Sequence, residues 1–70
     1  MTESDNQILK EIGQKIKDRR NALKINQQTL ADLSDVSLNT VVAIERGSGN
    51  PSLGTLLRII NTLGLKVQII

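Results

Sequence analysis

A chain of 70 residues holds at most one small domain, and chains of this size often depend on a disulfide, a metal or a partner subunit for stability. The absence of cysteine and histidine excludes disulfides and ordinary zinc sites, and the absence of Phe, Tyr and Trp leaves no ring on which single-stranded bases could stack. Nine basic and seven acidic residues give a net charge of +2, too small by itself to name a partner. What remains to hold a fold together is an apolar core of Leu, Ile, Val and Ala, and a second subunit.

The distribution of charge says more than its sum. Lys10, Lys15, Lys17, Arg19, Arg20 and Lys24 fall in the first third, while the acidic residues are scattered. A basic face toward an anionic partner would use this asymmetry, although for charge alone a solvated helix surface is the better explanation. No run is long and apolar enough to span a membrane, and the polar, acidic start does not resemble a signal peptide. The expected location is the cytoplasm.

Ile8, Leu9, Ile12, Ile16 and Leu23 recur at helical spacing and predict a first helix over about 5–23. Arg19 and Arg20 both project near that stripe, and an arginine facing a core needs a carboxylate partner. Asn26 is a good N-cap for a short second helix over about 27–34, with Leu30, Ala31 and Leu33 directed inward. Ser34 to Ser37 form a tight turn in which Asp35 tolerates a left-handed backbone, and Ser37 caps a third helix over about 38–46 that ends at Gly47. Pro51 stops any continuation, and Ser52 caps a fourth helix over about 52–63. Its stripe is Leu53, Leu56, Leu57, Ile60 and Leu63, widened by Ile59, weakened locally by Gly54 and closed by Gly64. The tail over about 65–70 alternates apolar and polar residues and predicts a short strand.

Two short helices joined by a tight turn, with further helix after them, make a helix-turn-helix arrangement. In the third helix Val41 and Ile44 must face the core. Asn39 and Arg46 then point away from it, flanked by Val42 and Ala43, with Leu38 at the exposed N-terminal end. This outward stripe is small and nearly neutral, a shape that fits closely into a major groove.

From Asn26 onward the chain resembles the Cro and phage-repressor superfamily, the XRE-type helix-turn-helix family. The resemblance is carried by Gln27, Leu30-Ala31, Val36-Ser37, Ile44-Glu45-Arg46-Gly47, Pro51-Ser52-Leu53 and Leu63-Gly64, and it covers roughly residues 8–65. It implies an all-α, lambda-repressor-like domain of four to five helices over residues 1–70, with the helix-turn-helix at about 27–46 and a short C-terminal β-strand pairing across a dimer. It implies double-stranded DNA as partner, no cofactor and no enzymatic activity. Carried over position by position, Gln27 and Gln28 would meet the DNA at the start of the second helix. Ser37, Leu38 and Asn39 would read bases, Thr40 would reach a phosphate, Ala43 would face the groove, and Arg46 and Asn50 would hold the backbone on the other side. The resemblance also implies a structural ion pair between Arg20 and Glu45, where spacing leaves Arg19 and Arg20 equally placed.

The chain departs from the family at several positions. Lys24 and Asp35 stand where the family often has Gly. Leu38 and Ala43 stand where it often offers Arg, Lys or Gln. Leu38 cannot hydrogen-bond a base but can pack on a thymine methyl, and specificity can lean on DNA shape.

A lone strand leaves backbone groups unpaired, so the tail is expected to pair with its copy in a homodimer, with Ile59, Leu65, Val67 and Ile69 as dimerisation residues. A tail of this kind after Leu63-Gly64 also resembles the HipB-type antitoxins, which implies autoregulation and a HipA-type kinase toxin as a partner. Three classes stand against each other: a DNA-binding repressor or antitoxin, a protein-interaction module on the same fold, and an enzyme. The last has no His or Cys, no phosphate-cradling loop and no acidic cluster with metal-ligand spacing to draw on.

Overall fold

The computed structural model describes residues 3–68. Among the described residues four helices follow one another: α1 (Glu3–Ala22), α2 (Gln27–Ser34), α3 (Leu38–Glu45) and α4 (Leu53–Thr62). α1 packs on α3, and α2 packs on both α3 and α4. The architecture is all-α, with no strand among the described residues. Leu65 to Gln68 continue past α4 without a ladder, since a single strand has no backbone partner within one chain. Ile69 lies outside the described residues.

Three helices start on a side-chain oxygen that takes an otherwise orphaned backbone N–H. Asn26 accepts from Thr29, Ser37 from Thr40 and Ser52 from Thr55. All four helices end in one way: a residue with left-handed backbone sends its N–H to the carbonyl three residues back, and the following N–H reaches five residues back. Gly47 and Gly64 fill this place after α3 and α4 without strain. After α1 and α2 it is filled by Lys24 (φ 59°) and Asp35 (φ 56°). The two positions where the chain departs from glycine therefore keep the glycine-type conformation.

The core consists of Ile16, Leu30, Ala31, Val41, Ile44, Ile59 and Leu63, flanked by half-buried Ile12, Ile25, Val36, Leu56 and Leu65. Each fully buried Leu or Ile contributes about 1.5–3 kcal/mol. Several apolar residues expected inside are not. Ile8, Leu23 and Leu33 are exposed, Leu33 at 64 %, because α2 is one short layer with no helix outside it. On α4 the buried line runs through Ile59 and Leu63, whereas Leu53 and Leu57 face outward. Ile59, expected at a dimer interface, is wholly buried against its own chain and has no surface to offer a second copy.

Polar bonds join the helices around this core. Ser34 donates to Thr62 Oγ1 (2.8 Å), which in turn donates to the Arg58 carbonyl, linking α2 to α4. The two adjacent arginines of α1 divide their work. Arg19 Nε donates to the Leu63 carbonyl at 2.9 Å and satisfies the end of α4, while Arg20 turns to α3.

Candidate nucleic-acid interface

The site is built outward from a buried ion pair. Arg20 grips Glu45 with both arms of its guanidinium, Nε to Oε2 at 2.6 Å and Nη2 to Oε1 at 3.0 Å, and its third nitrogen donates to the Ile25 carbonyl at 2.9 Å. Both side chains are buried. A bidentate pair of this kind fixes orientation as well as distance. The Arg20 pKa is raised above its ordinary value chiefly by the hydrogen bond to Glu45; burial opposes the rise and the carboxylate's charge adds to it. A raised arginine pKa contributes stability that is present below the unfolded value and lost only as pH rises through the folded one. That window lies above neutrality, so Arg20 stays charged under ordinary conditions.

Glu45 Oε1 accepts a further hydrogen bond, from Gln27 Nε2 at 3.1 Å. One carboxylate thus ties together the end of α1, the first residue of α2 and the last residue of α3. Gln27 is half-buried and held by this contact. The next residue, Gln28, is exposed and donates to Asp32 Oδ1 one turn on, at 2.8 Å.

α3 follows the turn with its N-terminus at the surface. Ser37 Oγ caps it and lies 2.8 Å from Thr40 Oγ1, so each hydroxyl already has a partner, with one hydrogen left to give outward. Val41 and Ile44 are buried, which turns Asn39 and Arg46 to solvent. Leu38 is 39 % exposed, and Val42 and Ala43 are half-buried. After α3 the chain turns at Gly47, and Ser48 bonds back to the Ala43 carbonyl through both its N–H and its hydroxyl. The result is an open cleft of about 180 Å³ lined by Thr40, Ala43, Ser48, Gly49, Asn50 and Pro51.

Of the residues singled out from the sequence, Thr40, Ala43 and Asn50 share this cleft. Ser37, Leu38 and Asn39 stand together at the start of α3, and Gln27 joins the ion pair. Gln28 lies on α2, engaged with its own helix. Leu65 is half-buried beneath the tail, and Val67 is exposed. The Gln27–Glu45 bond has no signature in the residue pattern, because it exists only once three helices are assembled. Gly13 belongs to the same assembled surface: it lies where α1 meets the backbone at the end of α3, and only the packed structure shows that no side chain fits there.

No helix among the described residues is long and apolar enough to cross a membrane. A family model described as helix-turn-helix matches residues 16–70. Over 59 residues the chain is 39% identical to an immunity repressor protein of Bacillus phage phi105; the match covers 84% of this chain and 41% of the repressor, so the chain spans about two-fifths of that relative. The fold is also similar to the crystal structure of the restriction-modification controller protein C.AhdI from Aeromonas hydrophila. There the TM-score is 0.80 at 33% identity, covering 86% of this chain and 91% of that one.

Proposed function

Because the chain belongs to the helix-turn-helix family of the Cro and phage-repressor type, a family of DNA-binding regulators and not of enzymes, we propose that residues 1–70 act as one domain that binds double-stranded DNA sequence-specifically. On this reading the chain is a cytoplasmic transcriptional repressor that works as a homodimer on a pseudo-palindromic operator. The observation that carries it is α3: capped at Ser37, locked from behind by Glu45, and turning Leu38, Asn39 and Arg46 outward. Leu38 and Asn39 meet base edges. Thr40, Asn50 and Arg46 hold phosphates, and Gln27, with its side chain set by Glu45, adds a further backbone contact. Gln28 and Ser37 lie beside these contacts, and Ala43 lets the groove wall approach.

The test is binding to DNA from upstream of the chain's own gene at two salt concentrations, alongside an Asn39→Ala, Arg46→Ala double variant. The wild-type chain is expected to prefer that DNA over random sequence. Its affinity should fall steeply with salt, through release of counterions from the phosphates. The variant is expected to lose about 1–3 kcal/mol from the base contact, and its salt slope should shrink by roughly one. A wild-type chain with no preference over random DNA would overturn the reading.

The homodimer rests on the surface that α4 and the tail leave uncovered. Leu53 at 70 % exposure and Leu57 lie on one side of α4, Val67 is 54 % exposed, and Ile60 and Leu65 line a groove against α1. Leu65, Val67 and Ile69 of one copy would lie against these residues of the other. Sedimentation at micromolar concentration should give a dimer, and Leu57→Lys with Val67→Lys should give a monomer. A wild-type monomer at that concentration would remove the dimer from the proposal.

A second reading makes the same fold an antitoxin or interaction module for a HipA-type kinase toxin. The outward Leu33 favours it, since that side chain serves neither the core nor the α3 surface. Binding of that kind would vary little with salt, which separates it from DNA binding.

A further inference from the structure

Building on the DNA-binding reading, we infer that the chain recognises its half-site through the 5-methyl groups of thymine, gripped by an apolar strip of Leu38 and Val42 that runs beside a single hydrogen-bonding residue, Asn39. The inference starts from what the start of α3 can and cannot offer. Ser37 and Thr40 satisfy each other and the helix cap, Gln27 is bound to Glu45, and Gln28 is bound to Asp32. Each of these polar side chains therefore already holds a partner within the protein. Leu38, Asn39, Val42 and Ala43 remain on the outward surface.

Leu38 and Val42 are one helical turn apart and form one apolar strip; Asn39 and Ala43 form the strip beside it. Arg46 lies eight residues beyond Leu38, about 12 Å further along the axis, too far to reach the same base pairs. In the major groove the thymine methyl is the one apolar group that a base pair presents. An aliphatic strip can favour that group and nothing else. Placed over cytosine, the same strip would strip water from the exocyclic amino group and give it no acceptor, which is unfavourable. The carboxamide of Asn39 pairs in two-point fashion with the N6 and N7 of adenine. Together these groups demand A·T pairs in a fixed arrangement: an adenine at Asn39, with thymine methyls beside it under the Leu38–Val42 strip. The small Ala43 keeps the helix close enough for the methyl contacts to form. Recognition of this kind is chemical, and it predicts sensitivity to a methyl group that carries no charge and no hydrogen bond.

The experiment starts from a randomised pool of duplexes, from which the tightest binder is recovered. That duplex is resynthesised with each thymine replaced in turn by deoxyuridine, which removes only the methyl. At one or two thymines per half-site the affinity should fall roughly three- to fivefold, the effect of one buried methyl. The loss should be the same at low and high salt, because no phosphate contact changes. Replacing a sensitive T·A pair with 5-methylcytosine·guanine should bind better than cytosine·guanine. In Leu38→Ala, with thermal unfolding checked against wild type, the sensitivity to deoxyuridine should vanish at one position. Selected binding that is indifferent to every deoxyuridine would overturn methyl recognition and leave the DNA-binding reading intact. An equal loss by Leu38→Ala on thymine and deoxyuridine duplexes would assign Leu38 a structural role and overturn it too. A pool that yields no preferred sequence would overturn both readings.

Discussion

Glu45→Ala is expected to cost about 3–5 kcal/mol of stability, because it leaves the Arg20 guanidinium buried without its carboxylate. A chain of this length has only about 0.05–0.15 kcal/mol per residue in total, so the variant should be close to unfolded at room temperature. Where it still folds, its melting temperature should be lower by roughly 12 °C or more, at about 4–8 °C per kcal/mol for a domain of this size. Circular dichroism melts check this directly. The double variant Arg20→Met, Glu45→Leu separates the two roles of the pair. Removing both charges together leaves no unpaired ion, so most of the stability should return. Gln27 would still have lost the oxygen that holds it at 3.1 Å. A stable double variant with weakened DNA binding would therefore show that Glu45 positions the surface as well as the core. A single Glu45→Ala that melts like wild type would remove the ion pair from any account of this fold.

Much of this architecture is legible in the residues themselves, and the reason is local chemistry. Asn26, Ser37 and Ser52 announce helix starts because a short side-chain oxygen can reach the third N–H beyond it, and each does so. Asn39 and Arg46 are legible as outward residues because Val41 and Ile44 fix the phase of a helix that has only one covered side. What periodicity does not carry is how far a stripe stays covered. α1 has 20 residues and is about 30 Å long, whereas α2 and α3 have 8 each and are about 12 Å long. The ends of α1 overhang its neighbours, and Ile8 and Leu23 are left in solvent although they continue the pattern. α4 fails differently. It is apolar around most of its circumference, so its sequence leaves the buried face open, and packing on α2 selects Ile59 and Leu63 over Leu53 and Leu57. The choice between Arg19 and Arg20 is of the same type: both project near the apolar stripe in sequence, and only the positions of Leu63 and Glu45 assign a partner to each, leaving Arg19 exposed and Arg20 buried.

Gly13→Ala should destabilise the protein, against the direction that helix propensity alone gives. Alanine in place of glycine inside a helix is ordinarily worth about 1 kcal/mol in favour of folding. At Gly13, however, α1 crosses the end of α3 so closely that an added methyl would overlap the Ile44 carbonyl oxygen and sit 3.0 Å from that of Glu45. Both obstacles are backbone, so no side chain can swing aside. α1 must back away, and that movement pulls on the Arg20–Glu45 bond, which lies on the same pair of helices. The net cost expected is about 1–3 kcal/mol, the usual penalty of overpacking. Gly54→Ala provides the contrast. A methyl there meets nothing nearer than Ser52 Oγ at 4.0 Å, so the propensity gain should appear undiminished as about 0.5–1 kcal/mol of added stability. One substitution made at two helical glycines should thus move the melting temperature in opposite directions. If both variants were stabilised, the close crossing that seats α3 on α1 would not exist, and the recognition surface would need another support.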